Sequence, residues 1–209
     1  MDESTGTNLL QAVAERIVAG HLESTGTGDV RYNTSRPDGY AGSGVDLSFP
    51  DRGVDHKIKV KPDPYFGTDP RKVNDLSLTY YRSDAGHYAF ESISDPVTRE
   101  PGWMFNSRAD DLYYYYLAIS QSEEDVRALM SEPDEVFFSE LAVDRDELRV
   151  LPMREIQKWF DAHYENYPPR PVTSGQRSSW YRLIPRGEVD SAATGMRVVG
   201  PIFARLSRG

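Results

Sequence analysis

Apolar residues recur at Leu9, Leu10, Val13, Ile17 and Val18 within residues 8–22. This is the three-and-four spacing of one helical face, and Asn8 is a suitable N-cap before it. A second helical pattern spans 152–163 (P-M-R-E-I-Q-K-W-F-D-A-H), with Pro152 near the first helical position. A short helix with an acidic first turn is predicted over 122–131. Elsewhere the pattern is that of strands. G-V-D-L-S-F (44–49) and V-D-H-K-I-K-V-K (54–61) flank P-D-R-G, a turn-forming sequence, and together predict a β-hairpin. Further strands are predicted over 76–81, 87–93 and 137–143. Residues 109–120 (A-D-D-L-Y-Y-Y-Y-L-A-I-S) run apolar and aromatic almost without a break, as a strand buried on both faces does.

Stretches rich in Gly, Ser, Pro and Asp at 24–29, 36–44 and 62–75 read as loops. Beyond Tyr167 the pattern gives loop, one or two short strands and a tail over 186–209. The order of elements predicts one mixed α/β domain over 1–209, with its core at about 8–185.

The second hairpin strand poses a question of charge. Side chains alternate along a strand, so Asp55, Lys57, Lys59 and Lys61 share one face. Val54, Ile58 and Val60 lie on the other. His56 falls on that core face too, where a satisfied structural histidine is expected. Three lysines on one face repel one another unless something anionic lies opposite. Protein carboxylates or a ligand phosphate would serve; the bland alternative is an edge strand guarded by charge.

Composition narrows the chemistry. The 209 residues include no cysteine, which excludes disulfides, thiolate zinc sites and cysteine nucleophiles and fits a reducing cytoplasm. The four histidines (His21, His56, His87, His163) show no metal-ligand spacing. No secretory signal or membrane-spanning run is expected. A net charge of −9 argues against a generic nucleic-acid coat protein, yet leaves room for a local basic patch on an acidic body. Thirteen tyrosines supply packing surface, and Tyr113 to Tyr116 and Trp103 are read as core.

Taken together, G-V-D (44–46), I-K-V-K-P-D (58–63), an aromatic strand carrying Glu91, and P-G-W-M-F-N-S-R-A-D-D-L-Y-Y-Y-Y (101–116) resemble the phage and bacterial branch of the PD-(D/E)xK nuclease-like superfamily. M-R-E-I-Q-K-W-F (153–160) and S-S-W-Y-R-L-I-P (178–185) extend the likeness. The resemblance implies a restriction-endonuclease-like α/β core, a central mixed sheet flanked by helices. It also implies DNA phosphodiester hydrolysis with Mg²⁺ or Mn²⁺ as cofactor. Such an ion lowers the pKa of the attacking water and neutralises charge building on phosphate oxygens.

By resemblance Asp46 is the first metal ligand, Lys61 the catalytic lysine, and Glu91 an accessory acid or an ion-pair partner of Lys59 or Lys61. Lys59 stands where the family carries a carboxylate. A shifted register, Asp55-His56-Lys57, offers Asp55 as metal ligand and Lys57 as catalytic lysine, and both registers stay open. Lys59, Arg71 and Lys72 are the expected nucleic-acid contacts. Glu15 on the first helix reads as part of a solvated face, with a place at the site as the alternative. The expected partner is DNA, without a membrane, in the cytoplasm of a bacterial or phage-infected cell. A homodimer would suit cleavage of both strands. If Lys59 has ended catalysis, the expectation becomes an inactive module that binds nucleic acid or a protein partner, such as a phage accessory or counter-defence factor.

Overall fold

A computed structural model describes residues 3–33, 44–68, 86–174 and 177–207. Helix α1 (Glu3–Ser24) is followed by strands β1 (Arg31–Tyr32), β2 (Leu47–Asp51) and β3 (Val54–Asp63). Then come β4 (His87–Asp95), β5 (Glu100–Pro101), α2 (Trp103–Asn106) and β6 (Asp111–Ile119). Helices α3 (Glu123–Leu129) and α4 (Asp134–Glu140) lead into β7 (Val143–Pro152) and α5 (Met153–His163). The chain continues through β8 (Pro169–Ser174), β9 (Arg177–Pro185), α6 (Arg186–Ala192), β10 (Arg197–Gly200) and α7 (Phe203–Leu206).

Two sheets organise these elements: six strands in the order β1-β2-β3-β6-β7-β10, and four in the order β5-β4-β9-β8. The six-stranded sheet is mixed, because β3 and β6 run parallel while its other pairs are antiparallel. The predicted hairpin forms, with Leu47 opposite Ile58 and Asp51 opposite Val54. Its two turn residues, Arg52 (φ 51°) and Gly53 (φ 84°), both lie in the left-handed region. Two-residue hairpin turns of this kind match the strand twist.

Strand β6 lies at the centre, as its apolar run predicts. Tyr113, Tyr115 and Leu117 face one core, shared with Val13, Ile17 and Val18 of α1. Leu112, Tyr114 and Tyr116 face the other, shared with Tyr88, Phe90, Ile184 and Phe160. The second core departs from the expectation of helices alone on both faces. There the four-stranded sheet packs beside α5, and Tyr88 meets Tyr114 edge-on at 4.9 Å between ring centroids.

Three local readings change. Residues 137–143, expected as a strand, instead form the second half of α4 and the link into β7, with only Val143 in a strand: Asp134 and Glu135 occupy the first turn of α4, and Phe137 and Leu141, four apart, are buried. The following segment is the strand instead. In β7 the inward alternation is Asp146, Leu148, Val150, and the charged first member hides the pattern. Asn8 lies inside α1 and is not its cap. The stretch expected as a tail forms α6, then β10 paired with β7, then α7 with Phe203 buried. The strand expected over 76–81 lies outside the described residues.

Arg16 fastens α1 to the α3–α4 hairpin. Its guanidinium donates to Asp134 Oδ1 (2.6 and 2.8 Å), to the carbonyls of Met130 (3.3 Å) and Glu132 (2.6 Å), and lies 4.1 Å above the Phe137 ring. These carbonyls follow the end of α3, where backbone acceptors lack helical partners. Arg16→Ala is expected to cost about 2–4 kcal/mol in urea denaturation, because it strips several charge-assisted bonds at once. Arg16→Lys should recover only part of this, since an ammonium lacks the planar fork.

Candidate functional site

Asp46 sits one residue before β2, at the end of the G-V-D segment. Gly44 takes φ 63°, and a β-carbon there would stand 3.0 Å from Ser107 Cβ. Ser107 Oγ donates to the Gly44 carbonyl at 2.8 Å. The glycine is thus required by both conformation and space. Asp46 is fixed by its backbone, donating to Ile58 O and accepting from Asn33 N, each at 2.8 Å.

The Asp46 carboxylate is fully engaged. Its Oδ2 accepts the Val60 N–H at 2.7 Å, and Lys59 Nζ lies 3.0 Å from Oδ2 and 3.2 Å from Oδ1. The pair is shielded, with side chains 10% (Asp46) and 14% (Lys59) exposed. From α1, Gln11 Nε2 donates to Glu15 Oε1 (2.8 Å) and Val60 O (3.0 Å), with a longer contact to Asp46 Oδ2 (3.4 Å). Glu15 is therefore part of this cluster and not of a solvated face: the residue is 4% exposed.

Burial pushes the Glu15 carboxyl up to about 7; Asp46 adds to the rise, while the Gln11 bond and the Lys59 charge oppose it. A carboxyl whose folded value exceeds its ordinary 4.5 costs stability as pH rises between the two. Glu15→Gln is therefore expected to leave stability unchanged below the lower value and to raise it above about pH 7. The limit of that gain is about 3 kcal/mol. Melting curves across that range check this, and a gain at acid pH or none at alkaline pH would contradict it.

Lys61 lies two residues beyond Lys59 on the same strand face. Its ammonium donates to Pro62 O at 3.2 Å and sits 5.5 Å from the centre of the Tyr181 ring. Burial lowers its pKa, Asp63 and Glu91 oppose the fall, and Lys59 adds to it. Asp63 was not singled out from the sequence, although its place two residues after Lys61 puts it on the same face. It is buried, accepts Tyr114 Oη–H and Tyr65 N (both 2.8 Å), and burial pushes its pKa up.

The remaining candidates are placed elsewhere. Glu91, on β4 of the other sheet, accepts the Trp103 N–H at 3.1 Å and so caps the start of α2. Asp55 pairs with Arg31 at 2.8 Å. Lys57 lies opposite Ser48, and its backbone N–H donates to Asp110 Oδ2 at 2.8 Å. The shifted register therefore does not bring Asp55 to Asp46. His56 is satisfied by Asp111 at 3.1 Å and lies against the Phe49 ring, as its core-side position predicts. Asp110 and Asp111 thus both bond across to β3. Arg71 and Lys72 lie outside the described residues.

A divalent ion bound at Asp46 would need its carboxylate lone pairs and at least one further acid close by. Here the Lys59 ammonium lies against both carboxylate oxygens and the Val60 N–H takes Oδ2, so these side chains as arranged do not fit the ion. Among the described residues, no three His, Asp or Glu side chains are grouped to hold a metal. The arrangement instead provides an internal ion pair, a buried acid beside it, and a neighbouring half-buried lysine. No described helix is long and apolar enough to cross a membrane. Compared with protein-family models, curated proteins and solved structures, the chain matches none.

Proposed function

We propose that this chain is a nuclease-like module in which metal-dependent hydrolysis has given way to binding, with nucleic acid as the ligand. The observation that carries the reading is the Lys59 ammonium 3.0 Å from Asp46, at the place where the resemblance to PD-(D/E)xK nucleases calls for a carboxylate and a cation. A tethered positive charge there neutralises Asp46 and repels a divalent ion. Helix α1, the β2–β3 hairpin and parallel β6 around these residues support a restriction-endonuclease-like core. Lys61, with no carboxylate among its hydrogen-bond partners in the described residues, supports a phosphate-facing role for the strand.

The test combines cleavage, metal binding and DNA binding on one preparation. Supercoiled and linear DNA are incubated with Mg²⁺ or Mn²⁺, beside EDTA and Asp46→Ala controls, and Mg²⁺ is titrated by calorimetry. The expected result is no cleavage and no heat of Mg²⁺ binding. DNA binding should persist in EDTA and weaken as salt rises, because each neutralised phosphate releases a counterion. Lys61→Ala should reduce both the affinity and the salt slope, whereas Lys59→Glu should introduce heat of Mg²⁺ binding. Cleavage lost in EDTA and in Asp46→Ala would overturn the reading in favour of an active nuclease with Glu15 as second acid. Absence of any salt-dependent DNA binding would turn the search to a protein partner.

A further inference from the structure

We propose that α7 is a strap, hinged at Gly200–Pro201, that protonation of His21 releases from the body of the protein. The polar tether of α7 is one carboxylate on β7: Asp146 Oδ2 accepts the backbone N–H of Ile202 (2.6 Å) and Phe203 (2.9 Å), together with the Tyr115 hydroxyl (2.9 Å). The underside is apolar. Ile202 and Phe203 are buried, Phe203 meets Phe138 of α4 at 6.4 Å between ring centroids, and Leu206 reaches α1 beside Gly20. The link to β10 is suited to bending: Gly200 holds φ 84°, and among the described residues no atom beyond its chain neighbours lies within 4 Å of where its β-carbon would be.

His21 follows Gly20, the residue of α1 that Leu206 approaches, and lies within electrostatic reach of Arg205 on α7. The residue is 7% exposed, and its Nδ1 has no hydrogen-bond partner among the described residues. Its backbone is held in place, since the His21 carbonyl accepts from Ser24 Oγ (2.8 Å) and Thr25 N (3.1 Å). The charged groups facing the ring are Arg205 on α7 and Asp146 on β7. Asp146 already accepts three donors on one oxygen, and Arg205 repels a second cation. Burial first, then Arg205, lower the His21 pKa, against a smaller opposing pull from Asp146. A group with a depressed folded value binds a proton more readily where it is solvated. Docking is therefore fully favoured above the ordinary histidine value of 6.5 and weakens as pH falls towards the depressed value. Lifting α7 hydrates the ring, separates it from Arg205, and uncovers apolar surface on Phe138 and α1.

Hydrogen exchange of the Ile202 and Phe203 amides on the full chain, followed by NMR from about pH 7.5 to about pH 5 and corrected for intrinsic rates, tests this. The expected result is a several-fold loss of protection at these two amides at the acid end, with the β6 amides unchanged and no such loss in His21→Gln. Protection independent of pH, an equal loss in His21→Gln, or a parallel loss throughout β6 would each overturn the proposal. Should His21→Gln fail to fold, Arg205→Gln, which alters an exposed residue, replaces it. Removing the facing cation should blunt the pH response, and an unaltered response would overturn the proposal.

Discussion

Asp146→Ala is expected to lower the unfolding free energy by about 3–5 kcal/mol. Three donors converge on Asp146 Oδ2: two backbone N–H groups at the start of α7 and the buried Tyr115 hydroxyl. Removing the carboxylate leaves all three short of an acceptor in a place closed to most water, and an unsatisfied buried group costs about 1–3 kcal/mol. Tyr115→Phe deletes one of these donors together with its need for a partner, so it should cost only about 1 kcal/mol. Urea denaturation of both variants gives the comparison. Similar small losses in the two would mean that water or a neighbouring group replaces the carboxylate.

Lys59→Ala is expected to have an effect of similar size, about 3–5 kcal/mol, for a different reason. Asp46 is almost enclosed, and its ammonium partner is the only cation bonded to it among the described residues. Without Lys59, two acids share the site, since Glu15 lies on the same Gln11 amide. The double variant Lys59→Met, Asp46→Asn removes both charges and leaves an oxygen to accept the Val60 N–H. It should recover most of the loss, which makes the pair strongly non-additive in a double-mutant cycle. If the single losses simply add in the double variant, the ion pair is not what holds this corner together.

Several parts of the site could be read from residue order alone, because alternation along a strand is a local property. Lys59 and Lys61 were expected on one face with an anion opposite, and Asp46 is that anion for Lys59. The answer for Lys61 differs: its ammonium faces a tyrosine ring and a backbone carbonyl. Glu15 was less legible. On α1 it lies two residues from Val13 and two from Ile17, both buried. A charged residue between core positions reads as boundary or solvent until the sheet beneath it is known. Asp55 was misleading for a related reason, since its face was predicted correctly but the Arg31 that claims it comes from β1, far back in the chain.

The elements legible along the chain were those governed by near neighbours. These are the amphipathic α1 and α5, the β2–β3 hairpin turning within P-D-R-G, and the doubly buried tyrosine strand β6. Their signals are periodicity and turn chemistry, which act over a few residues. What covers each face, and which charges meet, was set by packing between distant segments. That packing placed a second sheet against Tyr114 and Tyr116, drew β7 and β10 into the first, made 137–140 helical beneath Arg16, and set Glu15, Asp46 and Lys59 together. Those outcomes depend on contacts between segments tens of residues apart. Burial, not sequence neighbourhood, sets their energies, so a carboxylate at a strand end looks the same in the sequence whether a metal ion or a lysine satisfies it.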